Sequence, residues 1–242
     1  MVNVAVESWD TYRENLKFVI LFSIPFAIAF LIPLFAPLPT YISAGGIFLR
    51  SASIFINLSA LDLVVIVIAI FLSLLFISFA YVAISLIVKA KKTHLKVSTR
   101  ALAGIERYIG RVFLLLLVYT AILLIVDMLS YYVGLEAVAT SIAGFVLFVL
   151  IFYAPSAIVV DNKRIWRAVV DSVRLVVTAP QYYLLWLLLV LFIVSALDFA
   201  VTSVSGSFGR YVVLVLNSIF ILPYFVIFAA EAYMRRFKLL SH

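Results

Sequence analysis

Six long stretches of this sequence carry almost no charge, and the basic residues gather between them on alternating sides. A helix needs about 20 apolar residues to cross roughly 30 Å of hydrocarbon. The first stretch covers 18–38, with no charge between Lys17 and Arg50. The second, 63–88, lies between Asp62 and Lys89. The third, 112–132, follows Arg111 and holds Asp127 near its far end. The fourth, 137–160, lies between Glu136 and Asp161, and the fifth, 180–198, runs from Pro180 to Asp198. The sixth, 211–230, lies between Arg210 and Glu231. Lipid offers backbone groups no partner, so each stretch is expected to bond within itself as a helix. The runs are too long and too uniformly apolar for barrel strands, which alternate. Residues 1–242 are therefore expected to form one all-α transmembrane domain. Composition agrees: 67% of the residues are hydrophobic, against about 45–50% apolar in a soluble domain.

Of the 18 Lys and Arg residues, all but Arg50 and Arg210 fall before the first stretch or after the second, fourth or sixth. Basic residues near span ends resist translocation, so that side is expected to be cytoplasmic. Six spans then leave both ends of the chain in the cytoplasm and the protein in the cell membrane. This placement accounts for most of the formal charge of +7. Glu7, Asp10 and Glu14 precede the first apolar run, which is unlike a signal peptide. The segment 40–59 reads as a short interfacial or re-entrant helix on the outer face.

Each pair of spans follows a segment of helical periodicity. In 163–178, Arg164, Arg167, Asp171 and Arg174 recur at steps of three and four, while Ile165, Trp166, Val169, Val170, Val173 and Val177 cover the other side. That pattern predicts an amphipathic helix on the membrane surface. Pro180 ends it and opens span five. In 98–111, Arg100, Arg107 and Arg111 oppose Leu102, Ile105 and Ile109. In 3–16, Val4, Val6, Trp9 and Tyr12 oppose Glu7, Asp10, Arg13 and Glu14. The expected architecture is three units, each a surface helix followed by a transmembrane hairpin.

The run from Ala154 through Pro155 to Asp161, followed by Arg167-Ala168 and Ser172-x-x-Leu175-Val176, resembles a broad group of six-span prokaryotic membrane proteins. The group includes the membrane domain found beside glycerophosphodiester phosphodiesterases. The opening Trp9-x2-Tyr12-x2-Asn15-Leu16 is similar to how such proteins begin. The resemblance implies the membrane fold and not the phosphodiesterase activity, whose soluble domain this sequence lacks. A more distant similarity, of size and span count alone, is to the membrane component of the archaeal DNA-import (Ced) system.

Chemistry-bearing residues are sparse. Asp127 lies 16 residues beyond Arg111, about 24 Å along a helix, and Asp198 lies 18 residues beyond Pro180, about 27 Å. Asp62 stands at the start of span two, where a carboxylate suits a helix N-terminus. Two readings stand for the three: interfacial carboxylates touching water, or an acidic vestibule that attracts cations or basic partners. Asn217 is about 10 Å from Arg210 along span six; it is expected to bond across helices, or else to line a polar path. Glu231 is placed to pair with Arg235 one turn on. Pro25, Pro33 and Pro223 are expected to kink spans one and six.

Lys89, Lys91, Lys92, Lys96, Arg100, Arg107, Arg164 and Arg167 form a basic cytoplasmic face. It suits anionic lipid headgroups, or an acidic partner protein or nucleic-acid phosphates. No metal-ligand cluster, phosphate loop or catalytic motif is present, so no cofactor and no enzyme activity is expected. The functional expectation is a non-enzymatic membrane subunit of a transport or translocation apparatus, with other membrane subunits and a cytoplasmic ATPase as partners. DNA import is one version. The alternatives are a stand-alone channel or small-solute carrier, and a lipid-organising scaffold.

The sequence has no cysteine, so topology can be mapped with introduced ones. An impermeant thiol reagent applied to intact cells should label Arg50→Cys and Arg210→Cys and spare His94→Cys and Arg164→Cys. Labelling of the second pair from outside would reverse the orientation.

Overall fold

The structure is a computed structural model, and it describes residues 2–36, 40–43, 45–49, 59–92, 97–131 and 133–239. The described residues are almost entirely helical, and among them are six helices long and apolar enough to cross a membrane. The chain is a multi-pass, all-α membrane protein. Helix α1 (Val2–Glu14) precedes α2 (Leu16–Phe35), which is span one. Strands β1 (Thr40–Ser43) and β2 (Gly46–Leu49) follow, then α3 (Ala60–Lys92), span two, and α4 (Val97–Tyr131), which holds span three. Span four is divided into α5 (Glu136–Ile151) and α6 (Ala154–Asp161). Helix α7 (Ile165–Thr178) leads into α8 (Pro180–Leu216), a π-turn over Asn217–Ile221, and α9 (Leu222–Leu239). Gly206, at φ 56°, breaks α8 and separates span five from span six. A Cβ on Gly209 would lie 3.0 Å from the Val201 carbonyl oxygen, so the chain reverses there with no room for a side chain.

Two expectations change. The segment 40–49 is an antiparallel β-hairpin, with Thr40 opposite Leu49 and Ser43 opposite Gly46, and not a helix. Gly45 takes φ +66° at its turn, which favours glycine. Residues 50–58, the rest of that predicted segment, lie outside the described residues. The second surface helix is also not a separate element. Residues 97–111 continue without a break into span three, because nothing between Arg100 and Leu117 interrupts helical bonding.

Three of the prolines leave a traceable mark on the bundle. A proline removes a backbone donor and crowds the carbonyl four residues back. Pro33 thus frees the Ala29 carbonyl, and Ser73 of α3 donates to it at 3.0 Å. Pro155 conflicts with Ile151, and α5 ends at Ile151. The buried Tyr153 amide exposed by that break donates to Ser172 Oγ of α7 at 2.9 Å. Pro223 conflicts with Ile219, in the middle of the π-turn.

Helix α1 packs against α9, so both ends of the described chain lie at one end of the bundle, here termed the α1 face. The opposite end is the hairpin face. The α1 stripe that meets the bundle is Val4, Ser8 and Thr11, while Val6 and Trp9 are more than half exposed. The two hydroxyls are tolerated because each bonds back to its own helix, Ser8 to the Val4 carbonyl at 2.6 Å and Thr11 to that of Glu7 at 2.9 Å. The main core lies toward this face, built from Val4, Val19, Ile84, Ile87, Tyr153, Ile158, Phe228 and Tyr233 among others. Span five is the least enclosed, with 6% of its apolar window buried against 50% for span six.

Replacing Ser172 with alanine should cost about 1–3 kcal/mol, the penalty for a buried amide left without its acceptor. Thermal unfolding in detergent measures it. An unchanged midpoint would mean that the Tyr153 amide is not held by this hydroxyl.

Candidate functional site

The carboxylates singled out from the sequence occupy three unlike settings. Asp62 is exposed and closes a reciprocal cap with Ser59: the Ser59 amide and hydroxyl donate to Asp62 Oδ2 at 3.1 and 2.7 Å, and the Asp62 amide donates to Ser59 Oγ at 3.1 Å. Asp127 is 4% exposed and accepts from Thr140 of α5 at 2.8 Å. It fastens spans three and four. Asp198 is half-buried, and its Oδ1 is fully buried with no hydrogen-bond partner. Among the described residues no hydrogen bond joins the three.

Asn217 bonds to the hairpin rather than to another helix, donating from Nδ2 to the Gly45 carbonyl at 2.8 Å. The hairpin turn therefore reaches about 10 Å along span six from Arg210. Irregular backbone at such depth is tolerated where protein buries it, and Gly45 is buried. A Cβ on Gly45 would meet the Asn217 side chain at 3.0 Å, so glycine is required both for its φ and for this approach.

The basic residues divide sharply. Lys89 donates to the Val159 carbonyl at 2.9 Å and sits near the Tyr108 hydroxyl at 3.4 Å. Lys91 pairs with Glu14 at 2.9 Å and donates to Thr11 at 3.2 Å. Both tie α3 into the bundle. Arg107 is exposed, with its guanidinium 6.0 Å from the Tyr108 ring centre. Arg164 and Arg167 are exposed on the α7 side, as is Arg174, and no carboxylate pairs with them among the described residues. Lys96 and the side chains of Lys92 and Arg100 lie outside what the structure describes. Arg235 reaches Glu7 of α1 at 2.8 Å, while buried Glu231 lies 3.1 Å from the Thr11 hydroxyl, whose single proton it shares with the Glu7 carbonyl. The pairing of α9 with α1 thus takes the groups that sequence spacing assigned to each other.

A polar clip not foreseen in the sequence joins α6, α7 and α9. Lys163 lies between Asp161, at 3.1 Å, and Asp171. The Tyr233 hydroxyl donates to Asp161 Oδ2 at 2.6 Å. Asn162 supplies the bend, in left-handed geometry at φ 54°, a conformation asparagine tolerates after a helix. Arg111 of α4 donates to Asn162 Oδ1 at 3.0 Å. Burial pushes the Lys163 pKa down, but the hydrogen bonds and charges of Asp171 and Asp161 together push it further up, leaving it above 10.5. An Asn directly after Asp161 was the available signal, since asparagine marks left-handed helix ends.

A partly open cavity of about 280 Å³ draws its lining from all six spans, through Phe26, Tyr81, Leu116, Phe152, Trp186 and Phe225 among others. Its walls are apolar. The Tyr81 hydroxyl bonds to Ser156 at 3.1 Å, and Trp186 Nε1 donates to the Phe225 carbonyl at 3.1 Å. A scan against protein-family models finds no match, and comparisons with curated proteins and with solved structures find none either.

The clip should make stability fall at alkaline pH. The folded-state pKa of Lys163 is raised, so its stabilisation is complete below pH 10.5 and is lost as pH rises through the folded value. Unfolding midpoints from about pH 9 to about pH 12 should fall less steeply for Lys163→Met than for the native chain. Parallel curves would remove the lysine from this role.

Proposed function

We propose that this chain is a non-enzymatic subunit of a larger transport or translocation apparatus in the cell membrane. The α1 face lies in the cytoplasm on this reading, because basic residues near span ends stay on that side. The observation that carries it is the row Arg164, Arg167 and Arg174, exposed and unneutralised among the described residues. The helix beneath that row is fixed by Ser172, Asp171 and the Lys163 clip. A flexible loop would need ordering before it could bind, whereas a fixed cationic row is already arranged for an acidic partner. Anionic headgroups would meet the same arginines at the membrane surface. An ATPase is the kind of partner such a subunit needs, and macromolecule import, DNA included, is one form of the apparatus. The apolar cavity and the separate settings of Asp62, Asp127 and Asp198 speak against a route for charged solutes.

Crosslinking with mass spectrometry in native membranes should join α7 to a second protein. The triple change Arg164→Glu, Arg167→Glu and Arg174→Glu should reduce that product about tenfold, the effect of losing some 1.4 kcal/mol of binding. Recovery of the chain alone under every condition would end the subunit reading. DNA binding by the purified protein should weaken steeply as salt rises; binding that ignores salt would remove the DNA version.

A further inference from the structure

Three spans meet one membrane boundary at the α1 face. Arg111 is the last charge before the uncharged run of span three, Asp161 ends span four, and Pro180 opens span five. At that level the turn between α6 and α7 is held against α4. Arg111 donates from Nη1 to Asn162 Oδ1 at 3.0 Å, and the same nitrogen lies 3.4 Å from the Asn162 and Lys163 carbonyls. Those contacts fix its guanidinium beside the peptide that leads into Arg164. Arg107 is exposed one turn before Arg111, on the same face of α4. Arg164 is exposed at the start of α7. Two separate elements thus bring three arginines to one turn.

None of the three has a carboxylate partner among the described residues. The acids beside the turn are engaged elsewhere: Asp161 and Asp171 both pair with Lys163, and Asp161 also accepts from Tyr233. Like charges gathered without a counter-ion repel one another, and an anion from outside the chain relieves that repulsion. The apolar surface of the same helix indicates where the anion comes from. Trp166, Val170 and Val177 are 77, 48 and 73% exposed. Spaced four and then seven residues apart, they form one stripe along α7 that runs from the arginine turn toward Pro180. A nucleic acid or a free anion leaves such a stripe in water. The edge of a bilayer covers it, with tryptophan at headgroup level. Helix α7 therefore lies at the depth of headgroup phosphates, whose oxygens the arginine fork binds in pairs.

We propose that Arg107, Arg111 and Arg164 form a site for the phosphate of one anionic phospholipid, taken from the leaflet at the α1 face, with Trp166 at the acyl boundary beside it. The bound phosphate ties α4 to α7 across the Asn162 turn. The site shares Arg164 with the row assigned above to a partner protein, but it uses neither Arg167 nor Arg174, and it belongs to the chain alone.

Native mass spectrometry of the purified full-length protein, titrated in detergent with dioleoylphosphatidylglycerol or dioleoylphosphatidylcholine, tests the site. The first adduct of the anionic lipid should form at about one-tenth of the concentration that the zwitterionic lipid needs. Arg107→Gln combined with Arg164→Gln should erase that preference. Both side chains are exposed, so the double change spares the Arg111 contacts that hold the turn. Arg174→Gln should leave the preference intact, which separates this site from the partner row. Inorganic phosphate at the concentration of the lipid should not displace the adduct. A native chain that takes both lipids equally overturns the proposal, as does a preference that survives the double change. Loss of the preference in Arg174→Gln would move the lipid off the turn and overturn the site, and displacement by inorganic phosphate would give the site to a free anion and overturn the lipid. No partner is present in this measurement, so failure of the crosslinking experiment leaves its result untouched.

Discussion

A backbone carbonyl released inside a bilayer has no water to turn to, and this fold is organised around that constraint. Its spans carry prolines at Pro25, Pro33, Pro155 and Pro223. For three of them the consequence is visible: a serine from the next span reaches the Ala29 carbonyl, span four divides and hands an amide to Ser172, and span six widens into a π-turn. Each repair requires a neighbour in a fixed place. The repairs therefore lock helices together as well as satisfying them.

The two ends of the bundle are built differently. At the α1 face, ion pairs and hydrogen bonds link α1, α3, α6, α7 and α9 over a dense core. Toward the hairpin face, bonds among the described residues include Thr140 to Asp127 and Asn217 to Gly45.

The fold was legible where a single physical rule acts along the chain. Uncharged runs announce spans because lipid excludes charge, and the recurrence of Arg164, Arg167, Asp171 and Arg174 announced α7. The hairpin was not legible. Residues 40–49 alternate too briefly, and their strand pairing is supported by an asparagine 172 positions away. Glu231 and Arg235 looked like an intrahelical pair because spacing alone cannot reveal that α1 packs alongside α9. The site was harder still. Basic residues that form one cluster in sequence separate into structural ties (Lys89, Lys91) and exposed arginines (Arg164, Arg167), a division made by tertiary packing. The cavity has no signature in the sequence, since its lining is drawn from six separate spans.

The docking of α1 has a consequence for the order of assembly. Its buried stripe is completed by α9, through contacts between residues as far apart as Thr11 and Glu231, 220 positions along the chain. A ribosome delivers the first of these long before the second. Until the sixth span is inserted, Val4, Ser8 and Tyr12 lack their seat, and the first helix must wait on the membrane surface or in the care of another factor. The last span to emerge is thus the one that closes the structure.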